Sequence, residues 1–278
     1  MSSPQSPTTD AADRSGETHP ATPRATSRGR GTKNQSVERA CAILGYFSVS
    51  RPVLTLQEIT ARSGLTRATA HRYVSVLREL NLLRLDPATN FYSLGSRIFN
   101  LAAAAAAGNP MVRIVGPFME ELVHDTNETA VLTVWDGAAP VVLRVDDNSE
   151  RVVRVSIQTG IRLPTWQSAH GRVFCTYLPA EDAPRRPLHP DDAALEDDLE
   201  KIRQTGVSVN TNEAEGTRAI ASPIFASGGR IVGSIGIVGT SASVPAEPDS
   251  AVAKSVLSIA TRLSSDLGET EPIGRSVR

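Results

Sequence analysis

Residues 54–80 read LTLQEITARSGLTRATAHRYVSVLREL, two stretches of helical apolar spacing broken by one Gly-Leu pair. That break constrains the fold more than any other feature of the chain. Thr55 and Thr66 each stand where a side-chain oxygen can cap the first turn of a helix, and Gly64 can take the left-handed conformation that ends one. Two helices joined over so few residues cross rather than align, as in a helix-turn-helix. Upstream, SVERACAILGYFS (36–48) has apolar residues at 37, 40, 43, 44 and 47, with Ser36 as expected N-cap and Arg39 at its capping-box position. Downstream, NLLRLDPATNFYSLG carries two short strand patterns, 82–85 and 91–94, around an Asp-Pro turn. Three helices and then a hairpin give the element order of a winged helix-turn-helix over residues 34–94.

On a helical wheel, residues 66–80 place Ala70, Tyr73, Val74, Leu77 and Leu80 on one face. The opposite face presents Ala68, His71, Arg72, Ser75 and Glu79, with Arg67 and Thr69 flanking it in the first turn. A major groove admits one helix, whose N-terminal turns reach base edges while positive charge meets phosphate. Arg pairs bidentately with guanine, and Thr offers a hydroxyl or a methyl. A cationic helix can equally be a plain solvated face. The preceding helix, the Gly64 break, the hairpin and the local charge favour double-stranded DNA as the partner. In the hairpin, Arg84 would neutralise phosphate or enter the minor groove, while Tyr92 packs inward.

The net charge of −1 conceals an asymmetry: residues 24–100 sum to +8 and residues 101–278 to −7. One basic segment joined to a larger acidic one suits a chain in which one part meets a polyanion and the other does not. Two cysteines, Cys41 and Cys175, share no metal-ligand spacing, which points to a reducing cytoplasm and to no structural metal. No apolar run approaches the length that crosses a bilayer, and no secretory signal opens the chain, so a membrane partner is not expected.

Residues 1–33, rich in Ser, Thr, Pro and Ala, are expected to be a disordered tail, with Arg24, Arg28, Arg30 and Lys33 at its end. Residues 95–110 form a helical linker whose six consecutive alanines permit close approach of a partner helix. From 111 to 268 the pattern mixes helices and strands. MVRIVGPFMEELVHDT is a helix bent or restarted at Pro117. TAVLTVW and PVVLRVDD flank Asp136-Gly137 as a hairpin, and RVVRVSI is a third strand. SAHGRVFCTYL is a helix capped by Ser168, followed by an acidic helix closed at Gly206. RAIASPIF and RIVGSIGIVG pair around Gly228-Gly229, a last helix runs through SAVAKSVLSIATRLSSDLG, and 269–278 is a flexible tail. The fold class is α+β, an antiparallel sheet with helices packed on it.

These segments resemble the IclR family of bacterial transcriptional regulators. The likeness runs from NQSVERACAIL through LTLQEITARSGLTRATAHRYVSVLRELNLL to FYSLGSRIFNLA, and resumes at GIRLPTWQSAHGRVFCTYLP and EGTRAIASPIFASGGRIVGSIGIVG. It implies an N-terminal winged helix, a helical linker and a GAF-like antiparallel-sheet domain that binds a small effector, with no cofactor and no catalysis. Members are homodimers or dimers of dimers. The DNA-reading positions fall on Arg67, Thr69 and Arg72, with Thr66 and His71 beside them. The effector positions fall on Ser168, Ala169, His170 and Gly171, on the loop from Asn212 and Glu213 to Ala219, and on Ser234, Gly236 and Val238. Family members often carry GxGK where this chain has AHGR, and an acidic residue where Asn212 stands. Those departures bear on the effector rather than the architecture.

The helix start at Ser168 offers free amides suited to a carboxylate, with Arg162, Arg172 and His170 near in sequence and Trp135 and Trp166 as possible apolar walls. A small organic acid is therefore the expected effector. Each of these residues also has a plain structural reading: Trp135 as core, the arginines paired with acidic surface, His170 as a buried hydrogen-bonded ring. Two other functions are open to the residues. Ser168, His170 and Cys175 could suggest a hydrolase, although no carboxylate is spaced to orient the histidine. A ligand-independent architectural DNA binder is the other, although the large acidic segment suits sensing or assembly better. The expected mechanism is a symmetric dimer reading two half-sites, with ligand altering the disposition of its DNA domains through the Ala-rich helix.

Overall fold

The computed structural model describes residues 34–147, 154–184, 192–271 and 273–274. The tail expected over 1–33 lies outside the described residues. The first unit is built from α1 (Gln35–Leu44), β1 (Val53–Leu54), α2 (Leu56–Ser63), α3 (Arg67–Glu79), β2 (Leu83–Leu85) and β3 (Tyr92–Leu94). Thr55 and Glu58 close a reciprocal capping box: Glu58 N donates to Thr55 Oγ1 at 3.2 Å, and Thr55 N donates to Glu58 Oε2 at 2.8 Å. Gly64 ends α2 at φ 64°, which a side chain would strain, and Thr66 caps α3 by accepting from Thr69 N. Ile43, Leu54, Ile59, Val74, Leu77 and Leu83 meet in one buried core. Each buried aliphatic of this kind is worth roughly 1.5–3 kcal/mol.

The helix spacing is as expected, but three details differ. Ser36 does not cap α1. The helix begins one residue earlier, after Asn34, without a side-chain cap bond. The Ser36 hydroxyl instead bonds the Tyr73 phenol, drawing its pKa below the ordinary value. The wing is three-stranded, because Val53 and Leu54 pair with Ser93 and Tyr92. Leu80, expected on the buried face of α3, is exposed at the helix end.

Helix α4 (Arg97–Ala107) buries no residue, and Phe99 is 76% exposed. It meets α5 (Pro110–Thr126) at a 78° bend, where Pro110 occupies the first helical turn and Asn109 Oδ1 accepts from Met111 N. The expected restart at Pro117 does not occur. Met111, Val115, Phe118, Met119 and Leu122 are buried on both sides of it and hold α5 as one helix. Among the described residues no single helix is long and apolar enough to cross a membrane.

The remaining elements are β4 (Thr129–Trp135), β5 (Pro140–Asp146), α6 (Ala169–Tyr177), α7 (Asp192–Thr205), β6 (Ser208–Asn212), β7 (Thr217–Ala226), β8 (Arg230–Thr240) and α8 (Ala251–Asp266). The strands form an antiparallel sheet in the order β5-β4-β8-β7-β6. Strand alternation sorts the two faces. Leu132, Ile220, Ile224, Ile235 and Ile237 join α5 and α8 in the main core. Ala221 packs beneath α6, and Val131 and Val238 beneath Val155, Ile157 and Leu163.

The strand expected over 151–157 is not formed where it is described: residues 154–158 have no strand pairing. Val155 and Ile157 fold onto the sheet face instead, and Thr129 Oγ1 donates to Val155 O. The outer edge of β5 is taken by the segment that follows, with Val142 N donating to Ile161 O and Gly160 N to Val142 O. At the other end, residue 269 does not begin a loose tail. The Glu269 carboxylate is buried and accepts from Gly229 N, Thr270 N and Glu271 N, and Ile273 packs against the domain.

Candidate DNA-reading surface and effector site

On α3 the buried residues are Ala70, Val74 and Leu77, so the opposite face turns to solvent. Arg67, Ala68, His71 and Arg72 are exposed, Thr69 and Ser75 half-buried. Among the described residues no carboxylate pairs with Arg67 or Arg72. Their charge is therefore uncompensated at the positive end of the helix dipole. Thr66 is committed to its cap, and its hydroxyl lies 2.9 Å from that of Thr69, which fixes the first turn. Arg84 is exposed on β2 opposite Ser93, and Tyr92 is buried. At the tip of the wing, Asp86 accepts from Ala88 N and from Thr89 Oγ1, both at 2.9 Å. These bonds fix the turn.

In the sheet domain, Ser168 caps α6: its Oγ accepts from Gly171 N at 3.0 Å and donates to Pro164 O at 2.6 Å. Ala169, His170 and Gly171 are buried. A Cβ on Gly171 would lie 2.0 Å from Thr165 O, so only glycine allows α6 to sit this close to the preceding turn. His170 Nδ1 lies 3.0 Å from Ser234 Oγ on β8 and 3.2 Å from Thr133 Oγ1 on β4. Each hydroxyl has one hydrogen, and those go to Ser222 O and Ser234 O. The network thus assigns the proton to Nδ1 and leaves Nε2 as an acceptor. Burial lowers the His170 pKa to about 3, so the ring is neutral.

Ala219, Ser234, Gly236 and Val238 share the sheet face that α6 covers, since Ala219 pairs with Val238 and Gly236 with Val131. Trp135 lies further along, 5.6 Å from the Phe174 ring, with its Nε1 buried and without a hydrogen-bond partner among the described residues. Beside it a hollow of about 760 Å³ opens between Ala138, Thr165, Trp166 and Asp182. Asn212 and Glu213 do not join this group. They are exposed at the β6–β7 turn, where Asn212 Oδ1 accepts from Glu215 N. Two arginines near in sequence to α6 are paired: Arg162 with Asp136 at 2.6 Å and Arg172 with Asp198 at 3.0 Å.

Sequence reasoning missed Thr133 and Asn210. The first holds His170, and the second donates from Nδ2 to Gln167 O at 2.7 Å, tying β6 to the approach of α6. Only the strand register brings them there, and local sequence carries no signal for it. Nucleophilic chemistry finds no support. Ser168 is used as a cap, and burial raises the Cys175 thiol pKa to about 12.

A winged helix-turn-helix whose helix bears cations with no carboxylate partner among the described residues, joined through an exposed helix to a separate sheet domain, has the build of a DNA-binding regulator. Known proteins agree. Residues 36–87 match the IclR helix-turn-helix domain, and residues 103–265 match the C-terminal domain of bacterial IclR transcriptional regulators. The chain belongs to the IclR family of bacterial transcriptional regulators. It is 27% identical to the HTH-type transcriptional regulator KipR of Bacillus subtilis over 250 residues, 86% of this chain and 99% of that protein. It is 26% identical to the acetate operon repressor of Salmonella typhimurium over 204 residues, covering 69% and 74%. An IclR transcriptional regulator from Silicibacter superposes with a TM-score of 0.77 at 22% identity, covering 87% of this chain and all of that one. An IclR homologue from Microbacterium hydrocarbonoxydans, complexed with 4-hydroxybenzoate, gives 0.65 at 24%, covering 84% and 99%. The protein is thus a transcriptional regulator of the IclR family, and the hydrolase and purely architectural readings fall away.

Proposed function

We propose that the protein is a cytoplasmic homodimer, or a dimer of dimers, that reads two half-sites through Arg67, Thr69, His71 and Arg72. A small organic acid bound beneath α6 controls it. The working divisions are residues 34–94 for DNA, 95–110 for the linker and 111–268 for effector binding and assembly. One observation carries the ligand reading. The amides of Ala169 and His170, the first two of α6, have no acceptor among the described residues, although both residues are buried. Two such donors at a helix start suit a carboxylate. The apolar residues Val131, Val142, Val238 and Ala219 nearby suit its hydrocarbon body. The 4-hydroxybenzoate in the Microbacterium relative supports the same ligand class.

The unburied α4, with Phe99 and Leu101 exposed, supports assembly through a partner copy of that helix. The DNA-binding unit also comes near the sheet domain away from α4. A Cβ on Gly160, in the segment along β5, would lie 3.4 Å from Val49 of the DNA-binding unit. Calorimetry with carboxylates of graded size, followed by release of bound DNA, tests the reading. Binding of a neutral ligand but of no carboxylate would overturn it.

A further inference from the structure

Between the second half of α3 and the strand β2 lies a groove of about 490 Å³, lined by Ser75, Arg78, Glu79, Asn81, Leu83 and Arg84. We propose that this groove seats a phosphate of the DNA backbone, held by Arg78 from the helix and Arg84 from the wing. The inference rests on the reading that α3 lies in a major groove, and it adds to that reading a backbone clamp that includes a residue outside the recognition turns.

The chain builds the groove by a tight reversal. Leu80 N donates to Val76 O, Asn81 N to Arg78 O and Leu82 N to Leu77 O, and Asn81 takes the left-handed conformation at φ 56°. This folds β2 back along the helix that precedes it, so that two guanidinium-bearing positions from different elements face one hollow. Both arginines are exposed, and among the described residues neither has a carboxylate within ion-pair distance, although Glu79 lines the same groove and the Arg84 charge helps hold the Asp86 carboxyl below its ordinary pKa. Two cations and one carboxylate leave the hollow net positive.

The spacing suits a backbone contact. His71, Ser75 and Arg78 follow one another at intervals of four and three residues, so they share a face of α3. At 1.5 Å per residue, Arg78 stands about 10 Å along the axis from His71. A major groove is about 12 Å wide. With the first turns at base edges, the Arg78 end of the helix therefore meets the groove wall, which is sugar and phosphate. The wing strand carrying Arg84 closes on the same backbone from its other side. Glu79, in the same hollow, weakens the clamp by repulsion.

The test uses full-length protein and fluorescence anisotropy, on its selected operator and on an unrelated duplex, across a range of salt. Wild-type binding to the operator, weakened in Arg67→Ala with relaxed base preference, first establishes the underlying reading on its own. Arg78→Gln is then expected to weaken binding several-fold on both duplexes alike, and to reduce the slope of log K against log salt by about 0.9. Arg78→Gln with Arg84→Gln is expected to reduce it by about twice that, and Glu79→Gln to tighten binding on both duplexes. Thermal unfolding unchanged in each variant shows that the fold is intact. An unchanged salt slope in Arg78→Gln, or a loss confined to one base position, overturns the clamp. Inorganic phosphate at constant ionic strength is expected not to displace DNA. Displacement from wild type but not from Arg78→Gln would assign the groove to a free anion instead.

Discussion

The Nδ1 of His170 lies 3.0 Å from the Oγ of Ser234, so the first turn of α6 is fastened to the middle of the sheet by a neutral, buried ring. Residues 64 positions apart thereby fix the helix start that offers its amides to a ligand.

Burial of that ring sets a pH dependence. The folded pKa of about 3 lies below the ordinary histidine value of 6.5, so the unfolded chain binds the proton first. The stability is fully present above pH 6.5 and is lost as pH falls from 6.5 toward 3. At pH 5.5 the expected loss is about 1 kcal/mol relative to neutral pH. Denaturant titrations at the two pH values check it, with His170→Gln expected to flatten the difference. Equal pH dependence in wild type and variant would place the titrating group elsewhere.

Gly171→Ala places a methyl against the Thr165 carbonyl, a backbone atom that cannot swing aside. The sheet domain is expected to lose about 2 kcal/mol or more, and effector-dependent release of DNA is expected to fail. Proteolysis together with calorimetry reads both outcomes.

Thr55→Ala removes the N-cap of α2 and half of its capping box. Loss of such a cap costs about 1 kcal/mol. Because α2 supports α3 through the buried Ile59, DNA affinity is expected to fall with unchanged sequence preference. Thermal melts paired with binding isotherms separate the two effects.

Phe99→Glu and Leu101→Glu on the exposed α4 should shift the protein toward monomer in sedimentation velocity, with little change in helix content. If both variants sediment as wild type does, assembly runs through another surface.

Much of this fold could be read from local chemistry. Thr55, Gly64, Thr66 and Ser168 announced helix ends because capping is decided within four residues. The long apolar alternation around Gly228-Gly229 announced β7 and β8 for the same reason. What escaped depends on pairing across distance. Val53–Leu54 is too short to carry a period, and Ser208–Asn212 is a polar edge strand. The alternation in RVVRVSI looks like a strand, yet residues 160–163 occupy the edge of β5 in its place. The site was legible at Ser168 and Gly171, whereas Thr133 joined it only through the register of β4 on β8. Asn212, placed by its neighbours in sequence, stayed at an exposed turn.

The central claim is that the solvent face of α3 reads duplex DNA. Its most direct measurement is selection of bound duplexes from a random pool by purified protein, followed by affinity of the selected sequence for wild type, Arg67→Ala and Arg72→Ala. The account predicts an enriched two-half-site sequence, a loss of roughly 1–3 kcal/mol in each variant with relaxed preference at one or two base pairs, and steep salt dependence. No enrichment at low ionic strength, or variants that bind as wild type does, would contradict it.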